Sequence, residues 1–437
     1  MEDKVSADKE RGMPRRAFVK NLAKGAAAAA FGLRALTSSR KTLADIAEAS
    51  QWEGDEERFW RLVRSQFMYE RGLIYMNNGT LGVCPQPVFN AVVEAMAYQE
   101  QNPSHHYQWG LGEVREKAAK LIGALKSEIV HTRNVTEGMN LVAAGLPLEK
   151  GDEVLTTNHE HPGGLGCWQY MAWKKGVVLK ELPIANPPEN PEEVLDLFDR
   201  AITRRTKVIS VSHIFFTTGL LFPVKRLCTL AHDKGLFVVL DAAHVPGMLH
   251  VDVHDIGCDF FAGNGHKWLL GPKTAGFLYV RKEVQDRVLP LITNRASGYD
   301  GEGIGKLDSI GTFDVSLKIG MGAAMDFHQT IGLERVQARC FGLMRSMKEK
   351  LSKISGVRIY TPMDPEMSSA LVTFSVKNIP HNQLKKMLYD RYHIEVKLNP
   401  DGKGRELNSI RVSTHIYNTP EEVDQFVGAI EELAKGA

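Results

Sequence analysis

The chain has 437 residues, 43% of them hydrophobic and 24% charged, enough for a large core and for two domains rather than one. Lys+Arg 54 against Asp+Glu 52 is close to balance, and no sustained basic run carries interleaved aromatics, which argues against nucleic acid as a partner. No apolar run reaches the length that spans a bilayer, so the mature protein is expected to make no stable membrane insertion.

The N-terminal stretch "MPRRAFVKNLAKGAAAAAFGL" is basic at its start and alanine-rich after it. Arg15-Arg16, followed by Phe18 and Lys20, resembles a twin-arginine export signal. The competing reading is a short amphipathic helix with an arginine pair. Residues 1–45 are therefore set apart as a signal region, which implies the twin-arginine export machinery as a partner and a periplasmic or exported location. Five scattered cysteines (Cys84, Cys167, Cys228, Cys258, Cys340) form no C-x-x-C pair and no disulfide framework, and read as buried free thiols.

Residues 46–75 are expected to pack with a small C-terminal domain, and 76–310 to form the large one. "IVHTRNVTEGMNLVAAGL" reads as a strand, a turn with Asn134 and Thr136, and a helix opening at about Glu137. Strand-like runs follow in "GDEVLTTNHEH", "GVVLKELPI", "KVISVSHIFF", "GLFVVLDAAH", "CDFFAGN" and "AGFLYVRKE". Helix-like stretches such as "PEEVLDLFDRAITRRT" and "VKRLCTLAHDKG" lie between several of them. This alternation predicts α/β architecture, a mostly parallel doubly wound sheet with helices on both faces. The glycine-rich "SGYDGEGIGKLDSIGT" marks the join to a smaller α+β domain over 311–437. There the pattern predicts one long helical stretch (316–354), strands in "SGVRIYTP", "SALVTFSV" and "NSIRVSTHIYN", a helix at 381–392 and a terminal helix from Glu421.

Ligands of such sheets sit at the carboxyl ends of the strands, where this chain places Thr136, His161, His213, Asp241, His244, Asn264, His266 and Lys267. Pyridoxal phosphate needs those types. Its aldehyde requires an amine, hence a shielded lysine. Its ring nitrogen must stay protonated to draw off carbanion charge, hence a buried aspartate. Its phosphate favours unpaired N–H groups at a helix start, here Val135-Thr136, and its ring needs a flat partner, for which His161 is suited. Taken singly, Asp241 reads as a strand-end cap, His161 as a structural histidine and Thr136 as an N-cap. Their order along the chain is the stronger signal. A metal hydrolase built on His159, His161, Asp241 and His244 stays open beside it, but leaves Lys267 and its glycine frame unexplained. A non-catalytic protein that merely retains the cofactor stays open too.

From about residue 70 onward the chain resembles the class V aminotransferases of fold-type I, most closely their isopenicillin N epimerase-like branch and more distantly the cysteine desulfurases. The motifs are "YMNNGTLG" (75–82), "NVTEGMN" (134–140), "EHPG" (160–163), "SHIFFTTGLLFPV" (212–224), "LDAAHVPG" (240–247), "GNGHKWLLGPKTAGFLYV" (263–280), "GTFD" (311–314) and "IRVSTHIYNT" (410–419). The resemblance implies Lys267 as the lysine that joins the cofactor aldehyde, Asp241 as the partner of the ring nitrogen and His161 as the stacking residue. It places His244 near the phenolic oxygen, and Val135, Thr136, Asn264 and His266 at the phosphate. Thr312 would reach the phosphate of a neighbouring subunit, implying a homodimer. Arg411 would hold the carboxylate of a small amino-acid or peptide substrate, with Asn77 beside it, and no metal is called for. "KLNPDGKGRELNS" before Arg411 contains no cysteine, which speaks against desulfuration. Phe215-Phe216-Thr217 stands where desulfurases have an asparagine, suggesting a more apolar wall. The implied activity is proton removal at the α-carbon, leading to transamination, epimerisation or elimination; a tailoring enzyme for a secreted peptide or siderophore precursor lies within that reading.

Overall fold

The computed structural model describes residues 42–50, 55–103, 109–293, 303–308, 310–399 and 408–436. Arg15 and Arg16 lie outside the described residues. Residues 42–45, expected to belong to the signal region, open a helix over 42–49 whose Ile46 and Ala49 are fully buried in the core. The folded body therefore begins earlier than the signal boundary placed it.

Seven strands build the large sheet: β1 (Ile129–Thr132), β2 (Glu153–Thr157), β3 (Val178–Leu182), β4 (Thr206–Ser212), β5 (Phe237–Ala242), β6 (Phe260–Asn264) and β7 (Gly276–Val280). Their order is β1-β7-β6-β5-β4-β2-β3, with β7 antiparallel to both neighbours and the other pairs parallel. The central strands β4 to β7 are largely apolar because both faces are covered, whereas the edge strand β3 carries Lys180 and Glu181. Alternation then divides the side chains. Val208, Val239, Phe260 and Leu278 pack beneath the helices Val135–Gly145 and Pro162–Lys175. Ile209, Val238, Leu240, Phe261 and Tyr279 join the core on the other face, with the helices Pro191–Ala201, Val224–His232 and Ser316–Ile331.

A second sheet of four antiparallel strands, β8 (Val357–Ile359), β9 (Leu371–Val376), β10 (Lys397–Asn399) and β11 (Ser409–Ser413), runs in the order β10-β11-β9-β8. The long helix expected over 316–354 is two helices, Ser316–Ile331 and Leu333–Leu351. They break at Gly332, whose φ of 97° lies where helix cannot continue. The helix Glu56–Arg64 is pinned to the second of them: Glu56 pairs with Arg335 at 2.6 Å, and the Arg335 guanidinium lies 3.5 Å from the Phe59 ring centre. The extended segment after Ile74–Tyr75, itself paired with Ile394–Glu395, bridges to Ser413 at Asn77 and enters the space between the sheets.

That segment fixes the backbone around Lys267. Gly82 N–H donates to the His266 carbonyl at 2.8 Å, and a methyl group on Gly82 would stand 2.0 Å from the Lys267 carbonyl oxygen. Gly82→Ala is accordingly expected to destabilise the fold by about 1–3 kcal/mol through overpacking. Thermal unfolding checks this, and an unchanged melting temperature would show that the contact relaxes freely.

Candidate active site

The carboxyl ends of the parallel strands and the face of the small sheet enclose a cavity of ≈ 550 Å³. Thr136, His161, Asp241, His244, Asn264, His266, Lys267 and Arg411 all line it. Residues from five loops or strands, separated by up to 275 positions between Thr136 and Arg411, thus meet in one place.

Lys267 follows β6. Its Nζ stands 3.3 Å from His244 Nε2, while the Trp268 indole N–H donates to His244 Nδ1 at 3.1 Å. The second contact decides the first. A neutral imidazole that accepts at Nδ1 carries its proton on Nε2, so Lys267 must receive that proton on a lone pair. Burial, then the charges of Lys267, Arg411 and His161, hold the His244 pKa well below 6.5, so the ring is neutral. Burial likewise lowers Lys267, to about 8, against the opposing pull of Asp241 and with a further push from Arg411. Lys267 keeps some surface toward the open cavity, but its amine is enclosed by protein. The hydrogen-bond geometry and the desolvation agree on an amine that gives up its proton readily.

Asp241, near the end of β5, is buried, and its Oδ1 accepts from the Ala243 N–H at 3.0 Å. Burial raises its pKa. Gly164 allows the close approach here, because a methyl group on it would sit 2.5 Å from Asp241 Oδ2. His161 caps the helix Pro162–Lys175, with Nδ1 accepting from the Gly163 N–H at 3.0 Å. Its ring meets Phe216 edge-on at 5.0 Å, and its outer surface is exposed because the cavity before it is open. Desolvation, then the charges of Lys267, Arg411 and Lys397, lower its pKa to about 4.

Arg411 lies on β11, buried, and donates to the Phe216 carbonyl and to Thr80 Oγ1, each at 2.9 Å. Its Nε has no partner among the described residues, and burial lowers its pKa to about 10. A buried guanidinium without a carboxylate is costly, and calls for an anion from outside the chain.

A match to the family model described as "Aminotransferase class-V" spans residues 77–426. The chain belongs to the class V aminotransferase family. An isopenicillin N epimerase of Amycolatopsis lactamdurans is 32% identical over 400 residues, covering 86% of this chain and 99% of its own. A probable cysteine desulfurase of Methanothermobacter thermautotrophicus is 30% identical, covering 85% and 97%. Among solved structures, the apo cysteine desulfurase from Thermococcus onnurineus NA1 has a TM-score of 0.76 at 29% identity, covering 86% of this chain and 98% of that one. The fold is that of the fold-type I enzymes, and the class V family is enzymatic and dependent on pyridoxal phosphate.

The residues fit that cofactor. Thr136 N–H, in the first turn of the helix Val135–Gly145, donates to no described residue, and His266 Nδ1 is buried without a partner among them. Thr136 and His266 both line the cavity, and a free N–H in the first turn of a helix favours an anion. The helix opens at Val135, not at about Glu137, because the Asn134 side chain caps it by accepting from the Glu137 N–H at 3.0 Å. Val135 departs from expectation, because its N–H is spent on Asn264 Oδ1 at 3.0 Å, whereas Asn264 lines the cavity and keeps its side-chain NH2 as a donor.

Asn77 is placed behind the cavity rather than on it. It is buried, its Oδ1 accepts from Thr80 Oγ1 at 2.6 Å, and Gly79 and Thr80 line the wall instead. Thr312 is exposed and outside the lining of its own chain's cavity. Of the two phenylalanines, Phe216 lines the wall, while Phe215 is fully buried and stacks on His159. His159 is removed from the alternative metal set, since its ring nitrogens meet Thr217 Oγ1 at 2.6 Å and the Ile184 carbonyl at 3.2 Å. His213 is buried and does not line the cavity. Lys397 and Glu160 were missed by sequence reasoning; Lys397 has no motif of its own, and its place shows only in the pairing register.

Holding Lys267 neutral costs stability wherever the unfolded chain would protonate it. That cost is absent above pH 10.5, grows as pH falls toward about 8, and is constant below. Lys267→Met is therefore expected to stabilise the cofactor-free protein by about 1–3 kcal/mol at pH 7, with the gain gone by pH 10.5. Urea unfolding across this range checks it; a gain independent of pH would show that the amine stays charged in the fold.

Proposed function

We propose that this chain acts at the α-carbon of an amino acid or peptide-like amine, by epimerase- or aminotransferase-type chemistry. The observation that carries the reading is the Lys267 amine, whose hold on its proton is weakened by burial and by the donor that His244 turns toward it, in a cavity shared with Asp241 and with an Arg411 that has no carboxylate partner among the described residues. Bound there, pyridoxal phosphate supplies an aldehyde carbon and an electron-withdrawing ring. Lys267 would hold the aldehyde carbon, Asp241 the ring nitrogen, His161 the ring face, and Thr136 and His266 the phosphate. His244 stands beside Lys267 at the position for the phenolic oxygen.

Arg411 orients the substrate by its carboxylate through parallel hydrogen bonds. The Lys267 amine, its pKa lowered to about 8, would be the group that removes the α-proton. Inversion of the centre would take a proton from a donor on the face opposite Lys267, and the 32% identity to an isopenicillin N epimerase favours this outcome. Desulfuration is disfavoured, since no cysteine lines the cavity and none occurs between Lys397 and Ser409.

The reading includes export and a homodimer. A charged phosphate does not cross a bilayer unaided, so an enzyme working outside must fold around its cofactor first, and the Arg15-Arg16 pair suits a route that carries folded proteins. Thr312, exposed at the start of "TFD", is assigned to the phosphate of the partner subunit.

Borohydride reduction of the purified yellow protein should fix a pyridoxyl group on the peptide containing Lys267, as peptide mass spectrometry would show. A Lys267→Ala variant that still carries covalent cofactor would sink the reading. For export, Arg15→Lys with Arg16→Lys should leave cofactor-loaded enzyme in the cytoplasm and none in the periplasm, by fractionation and absorbance. Periplasmic enzyme in that double variant overturns the route.

A further inference from the structure

One cation of the cavity has no task in the mechanism above. Lys397 lines the wall with Arg411. The two are directly opposed across the antiparallel β10–β11 pair, so their side chains leave the same face of the small sheet. Among the described residues Lys397 makes no ion pair, and the acidic residue nearest to it in sequence, Glu395, is held by Lys385 at 2.7 Å. Burial, then the charges of Arg411 and Lys385, lower the Lys397 pKa. Two like charges on neighbouring strands repel, Glu395 offsets this only in part, and among the described residues neither cation has a carboxylate in ion-pair contact.

The charge count at each end of the cavity sharpens this. Asp241 faces the ring nitrogen of the cofactor, and the phosphate belongs at Thr136 and His266. Among the described residues, the Arg411 end of the lining then holds two positive charges and no acid. An amino acid with a single carboxylate neutralises one of them. We infer that the substrate is a dicarboxylic amine, with one carboxylate on Arg411 and the second on Lys397. This rests on the function proposed above and names its substrate class. The residue types suit the division of labour: Arg411, clamped by Phe216 and Thr80, fixes one carboxylate at a set place, whereas a lysine on a flexible stem meets a charge over a range of distances. Leu398 and Phe216 line the wall of the same cavity, offering apolar surface to the methylenes that join the two acids.

Amine-free acids test this without chemistry. Calorimetry on the holoenzyme would compare the unbranched dicarboxylates from succinate to pimelate with monocarboxylates of equal length. At least one dicarboxylate is expected to bind about tenfold tighter than its monocarboxylate counterpart, as a charge-assisted contact allows. In Lys397→Gln that preference should fall to about twofold or less, and in Lys397→Arg it should persist, which separates lost charge from a damaged fold. Equal binding of the two acid classes by the natural enzyme, or a preference undiminished in Lys397→Gln, overturns the inference. The proposed function fails separately, in the borohydride experiment, whatever these acids do.

Discussion

The active centre depends on a tautomer. The Trp268 indole has only a proton to give, and it gives it to His244 Nδ1. A neutral His244 then has only a donor left to show Lys267. A third proton on the amine brings two N–H groups toward each other in a desolvated space, and this adds to the burial that lowers the amine to about 8. Trp268 is itself fully buried, so the core sets the protonation state of the site. The sequence neighbour of the lysine acts on it through a residue of another strand.

The same economy governs the acids. Ser212 and Asp241 are register partners on adjacent parallel strands, β4 and β5, with side chains on one face. Ser212 Oγ donates to Glu160 at 2.6 Å, and Thr157 Oγ1 donates to its other oxygen at 2.6 Å. Two buried carboxyl groups thus share a neighbourhood. Burial, with the Asp241 charge adding to it, lifts Glu160 to about 8 despite both hydroxyl donors. Near neutrality Glu160 keeps its proton, and the negative charge at this end rests on Asp241, where a ring nitrogen could use it.

Much of this was legible in the sequence, for a reason that can be stated. The six strand-like runs from 151 to 283 appear as β2 to β7, most plainly the inner strands β4 to β6, which both faces cover and which are therefore largely apolar between polar and glycine punctuation. Thr136, His161, Asp241 and Lys267 converge because they follow or end such strands, and the topology puts those ends on one edge. What sequence did not show is mostly a matter of hydrogen-bond partners. Nothing in "NVTEGMN" reveals that the Val135 amide is taken by Asn264, 129 residues away. Nothing in "YMNNGTLG" reveals that Asn77 turns behind Thr80. The single long helix failed at Gly332 because a run of good helix formers on both sides hides one positive φ.

Lys397 shows the limit most clearly, because its significance is relational. On its own strand it is one polar residue in a short alternating run, of the kind that usually faces water. Pairing sets it opposite Arg411, and only then do two unneutralised cations stand on one wall. A buried or half-buried cation without a paired acid is unfavourable, and among the described residues the fold sets no carboxylate in ion-pair contact with either of these two. Of the acids close at hand, Asp241 lines the cavity on the side of the large sheet, and Glu160 lies outside the lining, its oxygens taken by Thr157 and Ser212. The unfavourable charge on the empty site is then a store of binding energy, released only when a ligand brings negative charge in the right number. Selectivity for acids follows from what the protein declines to neutralise.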